Sequence, residues 1–201
     1  MADEKRRIPL WSIAAAALVA ALVGFVVFQF TQPDPQRIDL PAIGGPFALI
    51  DHNGKPVTDE DFDDHFKLIY FGYTYSPNIC ASTLSAMSEA LEILGDDGDR
   101  VVPLFITVDP ERDSPEHLKM YLEHFHPRFV GLNGSSDAIA QTAKKFHVHF
   151  AKVENLGADA DDYEIDHTSI VYLMGPDGDF RAHFTDGATP EAIAKRIREH
   201  L

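Results

Sequence analysis

Lys5, Arg6 and Arg7 are followed by Ile8 to Phe28, a run of 21 residues without one charged side chain. At 1.5 Å per residue such a run makes about 31 Å of helix, about the thickness of a hydrocarbon core. A buried helix of a soluble protein and a cleaved signal peptide are the alternatives. The run is apolar on every side, however, and Val26-Val27-Phe28 at its end makes a poor cleavage site. It therefore predicts a single-pass membrane helix over residues 8–30. The basic cluster precedes the span and none comparable follows it, which places residues 1–7 in the cytoplasm. A linker is expected over 31–38, where Gln32-Pro33-Asp34-Pro35 is polar and broken by proline. A globular domain is expected over 39–201, on the periplasmic side of the inner (cytoplasmic) membrane or in an equivalent compartment.

Charge and cysteine count narrow what that domain does. The chain carries a formal charge of −15. Removing Met1 to Pro33 takes away three basic and two acidic residues, so the acidity belongs to the domain. No basic stripe is available to neutralise phosphates, which argues against nucleic acid as a partner. One cysteine in 201 residues excludes an internal disulfide framework and any Cys-rich zinc module.

The domain alternates strand and helix patterns. Phe47 to Ile50 and Lys55 to Val57 flank Asn53-Gly54 as a hairpin. Leu68 to Tyr73 is a continuous apolar run, read as a buried central strand. Leu84, Met87, Leu91 and Leu94 repeat at helical spacing and stop at Gly95. Val101 to Val108 is the next strand. Ser114-Pro115-Glu116 opens a helix expected to carry Leu118, Leu122 and Phe125. Ser135 to Phe146 is another helix. Ser169–Met174 and Phe180–Phe184 form a second hairpin about Pro176-Asp177-Gly178, and Thr189-Pro190-Glu191 starts a last helix with Ile193, Ile197 and Leu201 on one face. The order predicts an α/β fold, a thioredoxin-like mixed central sheet flanked by helices.

The loop Tyr73 to Cys80 joins the buried strand to a helix N-terminus. Backbone N–H groups there favour an anion, which would lower the pKa of a thiol and make Cys80 a nucleophile or soft-metal ligand. Most lone cysteines are instead small buried hydrophobes. Ser76 lies four residues earlier, on the same face of a helical turn, and Pro77 suits a first helical position. His167, in Ile165-Asp166-His167-Thr168, stands at the mouth of a strand after the acidic loop Asp159 to Glu164, where it either bonds Asp166 or is aimed at the Cys80 loop. His147 and His149 would share one face of a strand. They and His124 with His126 read as surface histidines. Asp109-Pro110-Glu111-Arg112-Asp113 reads as structural, with Arg112 pairing to Glu111 or Asp113 and shaping the rim beside Ser76.

Three stretches together resemble the Sco/SenC family of membrane-anchored, thioredoxin-like copper chaperones for cytochrome c oxidase. They are Phe71-Gly72-Tyr73-Thr74 leading to Pro77 and Cys80, Val108 to Asp113 with Pro115, and Asp166-His167-Thr168. The resemblance spans about Asp39 to Leu201 and includes the N-terminal anchor. It implies a copper site, for Cu(I) and Cu(II), built from two cysteines four apart and a histidine. The second cysteine falls on Cys80 and the histidine on His167, while Ser76 occupies the position of the first cysteine. It also implies delivery of copper to the subunit of cytochrome c oxidase that bears the CuA centre, or reduction of that centre's disulfide. A hydroxyl is a poor ligand for a soft cation, so the site reduces to Cys80 and His167, and intramolecular dithiol chemistry is excluded. Ser76 fits a diverged member and a substituted cysteine equally. A single-cysteine thiol oxidoreductase or peroxidase acting through Cys80 is one alternative. A metal-free paralogue acting as an interaction module is another.

Overall fold

The structure, a computed structural model, describes residues 18–25, 28, 42–154 and 163–201. Contacts divide the chain into Met1–Pro41 and Ala42–Leu201. In the first unit residues 18–25 are helical, with Leu18, Val19, Leu22, Val23 and Phe25 exposed. Among the described residues no helix is long and apolar enough to cross a membrane. Most of the span expected over 8–30 lies outside them.

The second unit is organised by the apolar run read from the sequence. Strand β3 (Phe66–Gly72) is buried at every position, so it sits between strands and under helices on both faces. It pairs in parallel with β4 (Val101–Thr107), which pairs in parallel with β5 (Val130–Asn133). On its other side it pairs antiparallel with β8 (Ile170–Met174), which continues to β9 (Phe180–Thr185). Strands β1 (Ala48–Asp51) and β2 (Pro56–Thr58) form the expected hairpin and extend the sheet beyond β5. The order is β2-β1-β5-β4-β3-β8-β9. It is the mixed, helix-flanked, thioredoxin-like sheet expected.

Among the described residues, four α-helices cover the sheet. Helix α1 (Ile79–Leu94) buries Cys80, Leu84, Met87, Ala90, Leu91 and Leu94 along one face and stops at Gly95, whose φ of 58° suits glycine. In α2 (Pro115–Leu122), α3 (Ser136–Lys145) and α4 (Pro190–Arg198), the hydroxyls of Ser114, Ser135 and Thr189 accept a backbone N–H of the first turn. Two expected helical positions fall outside these helices. Helix α2 ends at Leu122, and Phe125 packs on Tyr121 and Phe129 from the turn that follows. Leu201 lies past the end of α4.

A second, two-stranded sheet was not expected: β6 (Phe150–Glu154) and β7 (Tyr163–His167) pair antiparallel, with Phe150 opposite His167. His147 takes a φ of 57° in the turn after α3, and His149 precedes β6, so the two do not share a strand face. Asp159, Asp161 and Asp162 of the expected acidic loop lie outside the described residues.

Candidate metal centre

β3 delivers the chain to the site and α1 carries Cys80 in its first turn. The helix begins at Ile79 with Asn78 as N-cap, two residues later than a helical Pro77 requires. Pro77 instead belongs to the bend before it, where Ser76 N–H donates to the Tyr73 carbonyl at 3.3 Å. Cys80 has no exposed surface. Gly72 makes room for it, since a Cβ there would stand 2.8 Å from the Cys80 sulfur.

His167 comes to the same point from the small sheet, 87 positions along the chain. Its Nε2 lies 3.5 Å from Cys80 Sγ, and its Nδ1 lies 3.4 Å from the Thr168 carbonyl. Only a protonated Nδ1 can donate to that carbonyl, which leaves the Nε2 lone pair facing the sulfur. Tyr70 and Tyr73 meet the imidazole edge-on, with centroids 6.1 and 5.8 Å away. Burial pushes the His167 pKa down, so the ring is neutral and able to bind a cation.

Burial also pushes the Cys80 thiol up, against hydrogen bonds from Ser76, the Tyr73 backbone and Tyr70. The expected lowering by the helix N-terminus is thus reversed, because the thiolate would sit in an apolar cavity. A soft cation that replaces the thiol proton overcomes this opposition, and a thiol beside an imidazole lone pair is a donor set that suits one. Ser76 is the third residue at this point, lining the same cleft as Tyr73 and His167, and its hydroxyl acts to lower the Cys80 pKa. Among the described residues no group of three or more His, Cys, Asp and Glu side chains is placed to hold a metal.

The Asp109–Asp113 stretch locks both arms of the site. The partner expected for Arg112 is Glu111 or Asp113; its ion pair is with Asp109, Nε to Oδ2 at 2.5 Å, and Asp113 acts on it through charge. Glu111 bonds Lys152 on β6. The Arg112 guanidinium lies 3.6 Å from the centre of the Tyr163 ring and 4.8 Å from that of Tyr75, and donates to the Tyr163 carbonyl at 3.0 Å. Tyr163 in turn donates its hydroxyl to Asp109. Asp113, fully buried, accepts from Thr107 and twice from Thr74, next to Tyr75 and Ser76. Finally, Ile165 N–H donates to the Tyr73 hydroxyl at 3.2 Å, tying β7 to the Cys80 loop directly. Sequence reasoning missed Tyr70, Tyr163 and the long-range partners of Arg112. A tyrosine inside a wholly apolar strand was the available signal, because its hydroxyl needs a buried partner.

A family model described as SCO1/SenC matches residues 35–201. Protein sco1 of Schizosaccharomyces pombe is 47% identical over 195 residues, covering 90% of this chain and 74% of its own length. The structure of Bradyrhizobium japonicum ScoI with copper bound is 43% identical, with a TM-score of 0.73, covering 80% of this chain and all of that one. BsSco is described as a member of the Sco family of cytochrome c oxidase assembly proteins with a disulfide switch. It is 26% identical, with a TM-score of 0.61, covering 79% of this chain and 94% of its own.

Proposed function

This chain belongs to the SCO1/SenC family, and from that premise we propose that it carries copper as cargo through Cys80 and His167 and acts as a metallochaperone in assembling the CuA centre of cytochrome c oxidase. The observation that carries the proposal is the 3.5 Å approach of Cys80 Sγ to His167 Nε2. Two ligands at bond lengths of about 2.0–2.3 Å, those of a comparable ion with imidazole and thiolate, span such a separation once bound. The B. japonicum relative binds copper, and the oxidase enters through the description of BsSco.

Ser76 gives the function its particular form. With one thiolate fewer, copper is held more weakly than in relatives with two cysteines, and no internal disulfide can form. A single-cysteine redox enzyme is the poorer reading, because Cys80 is fully buried and its pKa is pushed up. A reactive cysteine requires access and thiolate character. Residues 8–30 anchor the chain in the inner membrane, residues 31–38 tether the domain, and residues 39–201 face the periplasm. Support for this comes from the uncharged run and its basic flank.

The test is copper retention by the full chain in detergent, read by competition against a Cu(I) chelator under reducing conditions. Equimolar copper, lost in both Cys80→Ala and His167→Ala, is expected. Retention unchanged in either variant removes that residue from the site. Alkaline phosphatase fused after Leu201 should be active in intact bacteria. An inactive fusion, with a cytosolic reporter active at the same point, overturns the topology.

A further inference from the structure

Tyr70 stands in the middle of β3 with no exposed surface. Its hydroxyl donates toward the Cys80 sulfur, 3.7 Å away, and the hydroxyls of Ser169 and Thr83 flank the phenol oxygen. The Thr83 hydroxyl itself donates to the Ile79 carbonyl at 2.9 Å. The Tyr70 ring also meets the His167 imidazole edge-on. One buried side chain therefore touches both residues of the site, from a strand buried at every position.

When Cys80 is a thiolate, the sulfur is the strongest acceptor within reach of the phenol hydrogen, ahead of two neutral hydroxyls. A hydrogen bond to a metal-bound thiolate draws electron density from the sulfur and tunes the metal it binds. Cu(II) depends on that donation more than Cu(I) does. Resting on the copper reading above, we propose that Tyr70 is a positioning residue of the metal site, whose O–H···S bond holds the Cys80 thiolate toward His167 and biases bound copper toward Cu(I).

Tyr70→Phe keeps the ring and removes only the hydroxyl. Tyr172→Phe is its control: Tyr172 is a second buried phenol on the neighbouring strand β8, packed on Phe71 and Phe146 rather than on Cys80. In the full chain, Cu(I) and Cu(II) affinities are measured by competition, and the sulfur-to-metal charge-transfer band is recorded with Cu(II). The same band is recorded with Hg(II), which binds thiolates whatever the fate of copper. In Tyr70→Phe the preference for Cu(I) over Cu(II) is expected to fall by about fivefold, the size of one hydrogen bond. Both bands should move to longer wavelength, and Tyr172→Phe should match the wild type. Bands unmoved in Tyr70→Phe, or moved equally in Tyr172→Phe, overturn the proposal. If the wild type holds no copper, the copper reading falls, and the Hg(II) band alone decides for or against Tyr70.

Discussion

Ser76 and Gly72 set the limits of the site from either side of Cys80. Position 76 lines the cleft beside His167 and its hydroxyl acts on the Cys80 thiol, so a thiol there would add a second sulfur beside the first. Ser76→Cys is expected to raise Cu(I) affinity by at least tenfold and to create a reversible internal disulfide. Chelator competition and thiol titration read the two effects. Unchanged or lower affinity would show that the pocket has repacked around serine. Gly72 permits no such exchange. A methyl group there would stand 2.8 Å from Cys80 Sγ and 3.0 Å from both the Phe105 and Tyr70 rings. In a close-packed core that overlap costs about 1–3 kcal/mol. Gly72→Ala should lower the unfolding free energy measured in urea by that amount and lower copper affinity with it. A variant as stable as the wild type would show that these rings yield freely.

At the scale of elements, the two arms of the site are held together by Arg112 rather than by the main sheet. Its partner Asp109 is 1% exposed, so removing the guanidinium strands a buried charge, a loss of about 3–5 kcal/mol. It also removes the Arg112 contacts to the Tyr163 ring and carbonyl, loosening the strand that carries His167. Arg112→Met should therefore lower copper affinity although Arg112 is no ligand, and should lower thermal stability. Copper affinity preserved in a destabilised variant would show that β7 holds its place without the clamp. These connections explain what was legible in the sequence. β3, α1 and the two hairpins of the main sheet carry local signals: an apolar run, a helical repeat and turn residues. The Ser114, Ser135 and Thr189 caps do as well. β6 and β7 carry almost none, because they are fixed by Tyr73 and Arg112 from distant positions. The approach of Cys80 and His167 was legible through their motifs. The direction of the Cys80 pKa was not, since burial depends on Gly72, Tyr70 and His167 closing around the sulfur.

The whole molecule is acidic, with a formal charge of −15, yet histidines govern its response to mild acid. His52 accepts the Gly131 N–H at Nδ1, 2.9 Å away, and burial lowers its pKa. Burial similarly lowers those of His126 and His167. In the unfolded chain these rings take up protons near pH 6.5, while the native state binds them only at lower pH. Their contribution to stability is therefore complete above about pH 6.5 and is lost as pH falls through the lowered native values. Urea melts should give a lower unfolding free energy at pH 5.5 than at pH 7.5, by up to ~1.4 kcal/mol per histidine per pH unit. His52→Asn, which keeps an acceptor for Gly131 N–H but cannot titrate there, should flatten the slope. An equally steep slope would assign the acid response to other groups.

The complete burial of Cys80 has a kinetic consequence. An accessible lone thiol that meets an oxidant is consumed, by pairing with a second chain or by oxidation at sulfur. Here neither an oxidant nor another chain reaches the sulfur until the contact among Tyr70, His167 and Ser76 parts. Metal must pass through the same parting to reach it. On the proposed copper reading, the frequency of that opening is a common ceiling on loading and on damage, and an empty molecule would wait for its cargo without ageing.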